Sequence, residues 1–317
     1  MNTFTRILPV FLLAAGFVVW NGCSKNNSTE PITTDEELFN TVISGNDATN
    51  ADLFLTDENA LDESSQLKSL AKTIARELTL ASITPLRWGR VIDSRSRSIT
   101  RPITRLGDSI AIAETQVTFT GKFVIQALSG QDTVVIRKPF TETIRRNVKF
   151  ERIANTRYPR LNWRLDAVSV ATGGTENPGI SIPQVEVITP NQTLTVTDPL
   201  NYYMEIDHRW MRRLPVIHDV PVTVRVTVVS ASPDSDIVTL HFVSSAFGLH
   251  HSPFTLVSSN GSGGTFTRVY EKTGTISGSV RKFAHLMVSA TTPESLYSDA
   301  TDNFSSTVIG IPYKVSE

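Results

Sequence analysis

In the stretch DSIAIAETQVTFTGKFVIQAL, residues 108–128, the side chains Val117, Phe119, Gly121, Phe123 and Ile125 alternate with polar ones. Successive side chains of a strand point to opposite faces, so this period of two specifies a sheet with one apolar and one wet face. Gly121 in mid-strand marks a bulge or a bend. The neighbouring segments PLRWGRVI, DTVVIRKPFTETIRRNVKFERI and RLNWRLDAVSV carry the same kind of pattern. The core of this chain is therefore expected to rest on about four long antiparallel strands.

Ahead of these strands the sequence reads as helical. Thr34–Glu37 has the spacing of a capping box before Leu38, Phe39, Val42 and Ile43, a stripe on one helix face. A second helix is expected over ESSQLKSLAKTIARELTLAS, with Leu67, Leu70, Ala71, Ile74 and Leu78 on one side and Pro85 ending it. Charge separates the two parts: residues 24–85 have a net charge of −7, residues 86–164 of +10, and residues 165–317 of −5. Residues 33–172 are accordingly expected to form an α+β domain, its helices covering the concave face of a curved sheet.

Residues 171–183, ATGGTENPGISIP, have no apolar periodicity and read as a boundary, with a linker over 173–183. From 184 to 317 every strong segment is strand-like: QVEVI, TLTVT, VPVTVRVTVVS, IVTLHFVSSAF, PFTLVSS, TFTRVYEKTG, RKFAHLMVSATT and STVIGIPYKV. Eight or nine strands with short turns imply an all-β, immunoglobulin-like sandwich without its paired cysteines. The turn NGSGG lacks the glycine spacing and following helix of a phosphate loop, and reads as a hairpin.

At the N-terminus, Arg6 precedes an apolar run from Ile7 to Trp20, too short to span a bilayer as a helix. Gly22 and the sole cysteine, Cys23, follow it. This resembles the bacterial lipoprotein signal, in which cleavage before a cysteine leaves a thiol for diacylglycerol. The resemblance implies a signal peptide over 1–22 and a lipidated tether over 23–32, whose polar sequence SKNNSTEP would not fold by itself. The alternative is an ordinary secretory signal. The SK after Cys23 lacks the aspartate associated with inner-membrane retention, which favours the outer membrane. With Cys23 consumed by lipid, the exported domains fold without disulfides.

The order of helices, WGRVI, a long strand with a central glycine, a hairpin into KPFTETIRRNVKFERI and a closing NWRLDAVS resembles the cone-shaped superfamily of nuclear transport factor, steroid isomerase and many small lyases. That resemblance implies a pocket at the mouth of the cone, lined here by Trp88, Phe119, Phe123, Phe140, Phe150 and Trp163. No histidine precedes His208, which removes a His-based mechanism from this domain. Asp93, Glu114, Glu142 or Asp166 could serve if burial raised a pKa, although solvated strand positions are the simpler reading of all four. Arg87, Arg90, Arg95, Arg97, Arg101 and Arg105 cluster within 19 residues. They read either as a surface for anionic partners or as counter-charges facing the acidic helices, the second being simpler. Tyr202, Tyr203 and Trp210 add an aromatic candidate surface.

No GxSxG elbow appears, no histidine spacing suggests a metal, and nothing implies a cofactor or catalytic residue. A converging Ser, His and carboxylate is the one catalytic arrangement that sequence leaves open. The expected function is that of an envelope-anchored lipoprotein with a non-catalytic binding or interaction role. Its partner would be a protein, glycan or small molecule, with nucleic acid made remote by export. The alternatives are an enzyme or small-molecule binder using the cone, and a structural module of an envelope assembly.

Overall fold

The alternation at 108–128 folds into one arm of the longest hairpin among the described residues. In the computed structural model, which describes residues 32–44, 61–64, 82–99, 103–206, 220–244, 248–275 and 283–314, helix α1 (Asp35–Ile43) comes first. Strands β1 (Thr84–Ile99), β2 (Thr104–Leu106), β3 (Ile110–Ser129) and β4 (Asp132–Arg152) follow. Then come α2 (Pro159–Asn162), β5 (Trp163–Ser169), β6 (Ala171–Gly174), β7 (Ile180–Thr189), β8 (Gln192–Val196) and β9 (Tyr203–Glu205). The rest is β10 (Pro221–Ser230), β11 (Ile237–Ser244), β12 (Gly248–Pro253), β13 (Thr255–Ser262), β14 (Thr265–Thr275), β15 (Phe283–Thr291), α3 (Pro293–Tyr297) and β16 (Ser306–Lys314). The second expected helix falls almost wholly outside the described residues, as do Cys23, Arg101 and Trp210.

Two sheets result. The larger has eleven strands along the path β1-β3-β4-β6-β16-β15-β11-β12, with β2, β5 and β9 branching from it; the smaller has five, in the order β13-β14-β10-β7-β8. The β3–β4 hairpin closes through Gly130, at φ 64°, and pairs residue by residue from Ser129↔Asp132 to Ile110↔Glu151. Gly121 acts on the neighbouring strand: β1 slips register between Ile92 and Ser94 opposite it, and a Cβ there would lie 2.2 Å from the Val91 carbonyl oxygen. The glycine thus admits a close strand crossing and bulge where the sheet curls.

The short strand β6 joins the two halves of the chain. It pairs with β4 on one side and with β16 on the other, so the sheet runs through the residues expected to begin the linker. Residues Ile32–Glu317 form one compact unit. Close approach on both sides of β6 needs glycine: a Cβ on Gly173 would lie 1.9 Å from the Thr143 carbonyl oxygen, and one on Gly174, at φ 142°, 2.2 Å from that of Ser306.

The expected α+β cone is overturned. The described residues hold only three short helices, the longest of nine residues, and the curled sheet is filled from within by β15, β16 and the 292–305 loop between them. Phe119, Phe123, Phe140 and Ile144 on its inner face pack against Met287, Val308, Leu296, Tyr297 and Phe304 from the end of the chain. One nine-residue helix could not bury so many aromatic faces. Instead α1, N-capped by Thr34 with Glu37 N–H donating to Thr34 Oγ1 at 3.1 Å, packs Phe39 on Phe150 and Trp163.

The immunoglobulin-like sandwich over 184–317 is redrawn too. Only β7, β8, β10, β13 and β14 form a separate sheet, while β9, β11, β12, β15 and β16 extend the first. β15 and β16 are buried on both faces: Leu286, Val288, Ile309 and Ile311 share a cluster with Val185, Val187, Val224 and Val226 of the smaller sheet, and Met287 and Val308 face the curled interior. The architecture is β-rich and two-sheeted.

If β6 is held this tightly, Gly173→Ala destabilises the protein by about 1–3 kcal/mol through overpacking. Gly274→Ala, where a Cβ meets nothing within 4 Å, leaves thermal unfolding nearly unchanged. Equal melting curves for the two variants would refute the tight crossing.

Candidate functional site

The inner face of β4 reads Lys138, Phe140, Glu142, Ile144, Arg146, Val148. Charged residues occupy every second inward position, and all three are buried, at 0%, 1% and 5% exposure. Buried charge persists only where it is paired and hydrogen-bonded, and Glu142 and Lys138 each mark an internal polar group.

Glu142 belongs to the most extensive one. Arg90 of β1 donates from Nε to Glu142 Oε1 at 3.2 Å and from Nη1 to Ser289 Oγ of β15 at 3.5 Å, with its guanidinium over the Phe304 ring at 5.6 Å. The Ser306 hydroxyl of β16 donates to Glu142 Oε1. Glu63 covers the free edge of β1: its carboxylate accepts the Arg90 N–H at 2.8 Å, and its own N–H donates to the Arg90 carbonyl at 2.9 Å. His241 of β11 completes the chain, with Nε2 2.8 Å from Ser289 Oγ and Nδ1 3.5 Å from Glu63 Oε1.

Ser289, His241 and Glu63 therefore stand in the order hydroxyl, imidazole, carboxylate. The direction of the Ser289–His241 bond follows the imidazole tautomer: with Nδ1 protonated towards Glu63, Nε2 accepts the serine proton. That is the arrangement by which a base activates a nucleophile. Access is what it lacks. Ser289 and His241 are 1% exposed and Glu63 is 5% exposed, and an acyl carbon must come within about 3 Å of a nucleophile. In this conformation the group is structural: it ties β1, β4, β11, β15 and β16 together inside the curled sheet, although Arg90 Nη2 and Glu142 Oε2 have no hydrogen-bond partner among the described residues.

Two further internal groups fix loops. Lys138 reaches the Glu294 carbonyl at 3.1 Å and Asn303 Oδ1 at 2.5 Å, holding the 292–305 loop over the aromatic interior. Burial lowers its pKa to about 8, against the opposing influence of Asp299 and Asp302. In the smaller sheet Arg268 binds Asp236 and Ser230, each at 3.0 Å, and the carbonyls of Ser232 and Pro233. The turn between β10 and β11 is thereby folded around one guanidinium. Burial raises the Asp236 pKa while Ser230 and Arg268 oppose the shift.

The residues expected to line one pocket do not share one. Phe119, Phe123 and Phe140 lie in the curled interior with Trp88 packed at its margin, whereas Phe150 and Trp163 belong to the other cluster, against α1. Phe304 fills the space between Phe123 and Phe140, with ring centroids 4.7 Å and 5.2 Å away. A shallow cleft of about 230 Å³ lies between the end of α1 and β1, lined by Asn40, Ile43, Ser44, Arg95, Arg97 and Val117. It is below the usual size of a small-molecule site.

The candidate arginine surface divides as well. Arg90 is internal, a correction to its expected place, while Arg95 is exposed and Arg87 and Arg97 are half-buried. Arg97 caps the α1 terminus by donating to the Ile43 carbonyl at 2.9 Å, and Arg105 pairs with Asp35 and Glu36, which lowers the Glu36 pKa. Tyr202 and Tyr203 are half-buried, with desolvation raising the Tyr203 pKa. Of the four candidate carboxylates, Asp93 and Asp166 face Lys122 and Lys149 at 3.4 Å and 2.8 Å, Glu114 is half-buried, and Glu142 is the buried exception to the solvated reading.

Glu63, Ser289 and Ser306 escaped the sequence reading, and His241 was not joined to them, because the segments that bear them are remote in the chain. The available signal was the opposite phase of β11 and β15: Thr239 and His241, and Met287 and Ser289, fall on the second face of strands whose first face is apolar. Comparison of the chain with known protein families, with curated proteins and with solved structures finds no match.

The depressed Lys138 pKa fixes a sign. The folded protein releases this proton near pH 8 and the unfolded chain near 10.4, so stability rises with pH across that window and is lost as pH falls through 8. The expected gain between pH 8 and 10 is on the order of 2–3 kcal/mol in denaturant unfolding. Lys138→Met should flatten the rise, and an unchanged rise in that variant would assign it to another group.

Proposed function

We propose that the protein is an exported, lipid-anchored envelope protein with a non-catalytic interaction role, its acyl chains on Cys23 and its site the outer membrane. The observation that carries the non-catalytic reading is the filled interior: Phe119, Phe123, Phe140 and Phe304 occupy the concave space in which a ligand would sit, and the 292–305 loop is tied over it by Lys138. The anchoring reading rests on the signal-like N-terminus and the polar tether after Cys23. Among the described residues no helix is long and apolar enough to cross a membrane.

An enzyme is the rival reading, and the Ser289–His241–Glu63 alignment is the one observation in its favour. Two measurements on protein purified from membranes separate these readings. Mass spectrometry of the mature N-terminus should find diacylglycerol on Cys23; an unmodified cysteine or a different first residue ends the anchoring claim. A serine-directed fluorophosphonate should leave the folded protein unlabelled. Labelling that Ser289→Ala abolishes would replace the interaction role with catalysis.

A further inference from the structure

Six large apolar side chains are exposed among the described residues, and four of them gather at one end of the molecule: Leu106 at 52%, Ile153 at 53%, Tyr158 at 50% and Leu161 at 58%. Register brings them together. Leu106 pairs with Ile110 and Ile110 with Glu151, Arg152 N–H donates to the Ser109 carbonyl at 2.7 Å, and Ile153 N–H donates to the Asn162 carbonyl at 2.7 Å. The loop presenting them is braced from within. Asn162 accepts the Thr156 N–H at 2.6 Å and donates to the Thr156 carbonyl at 2.8 Å, so Tyr158 and Leu161 project from a closed ring of hydrogen bonds.

The chain enters the fold at this same end. α1 packs against α2. Arg105 lies over the Trp163 ring at 5.3 Å while pairing with Asp35 and Glu36 in the first turn of α1, and Arg152 lies over the same indole at 5.8 Å. Residues 23–31 are nine in number. Fully extended they span about 30 Å at ~3.5 Å each, so a lipid on Cys23 keeps this end close to the membrane.

Charge at the tip fits a lipid headgroup layer. Asp35 and Glu36 share the single cation Arg105, Glu151 pairs with Arg164 at 2.5 Å, and Glu37 accepts the Thr33 N–H at 2.8 Å. Asp108 is exposed. Arg157 and Arg160 are exposed and make no ion pair among the described residues, and Arg157 stacks over Tyr158 at 4.7 Å. Tyrosine, leucine and isoleucine beside unpaired arginines is the composition that partitions into an anionic membrane interface.

We infer that the end bearing Leu106, Ile153, Tyr158 and Leu161 docks on the lipid surface to which the chain is tethered, with Arg157 and Arg160 meeting lipid phosphates. This rests on the anchoring reading, and its test supplies the tether independently. A chain from Cys23 to Glu317, which includes the whole compact unit Ile32–Glu317, is coupled through its only thiol to a maleimide lipid. The vesicles are of phosphatidylethanolamine and phosphatidylglycerol with brominated acyl chains. The readout is tryptophan emission in two variants, Tyr158→Trp and Val135→Trp. Val135 is 44% exposed but lies at the far end of the 21-residue strand β4.

Docking predicts that bromine quenches the emission added by Tyr158→Trp at least twofold more than that added by Val135→Trp. Adding Ile153→Asp and Leu161→Asp to the first variant should remove the difference. Equal quenching in the two variants overturns docking and leaves a protein or glycan as the occupant of this surface. Because the coupling is synthetic, that outcome is independent of whether Cys23 is acylated in the cell.

Discussion

The guanidinium of Arg90 lies where two distant parts of one sheet face each other. β1 stands at one end of the path and β15 five steps along it, yet Arg90 reaches both Glu142 on β4 and Ser289 on β15. A flat sheet could not make that contact. The curl that permits it comes from the Gly121 crossing, the slipped register of β1 and the glycine pair in β6, and once made it encloses charge that must be paired. Desolvating an arginine and a glutamate is expensive enough that an enclosed pair tolerates no loss of either partner. Glu63 and His241 extend the same group to the edge of β1 and to β11, so five segments of the chain converge on one buried cation.

This internal closure decides what the curled interior holds. A curled sheet with an open mouth is a natural ligand site, and this interior holds the elements of one: aromatic walls, a buried carboxylate and a serine beside a histidine. The C-terminal segment occupies it instead. Phe304, Leu296 and Tyr297 enter from the 292–305 loop, and Lys138 holds that loop down. On the outer surface, apolar side chains concentrate beside unpaired arginines at the end where the chain enters the fold.

Much of the strand inventory was legible in the sequence, because alternation reports which face of each strand is apolar. The stripe Leu38, Phe39, Val42, Ile43 likewise marked α1, all four being buried. Pairing was not legible. Alternation does not say which strand lies alongside, so the union of β6 with β16 and the entry of β11, β15 and β16 into the first sheet were invisible, and a two-part division followed. The same limit hid the polar interior. Glu142 looked like a solvated strand residue, since its partners Arg90 and Ser306 lie 52 and 164 positions away in sequence, and Lys138 meets Asn303 only across 165. Phe150 and Trp163 were grouped with Phe119 and Phe140 by residue type, although an intervening polar stretch of β4 separates them into two clusters.

The measurement that reaches the central claim most directly is a double-mutant cycle on the Arg90–Glu142 pair, with stability read by denaturant unfolding. The account predicts that Arg90→Met alone costs about 3–5 kcal/mol, because Glu142 is left charged and buried. Arg90→Met combined with Glu142→Leu should recover most of that loss, since neither member of the pair is then left without its counter-charge. A near-neutral Arg90→Met, or additive effects in the double variant, would contradict an enclosed ion pair at the centre of the curled sheet.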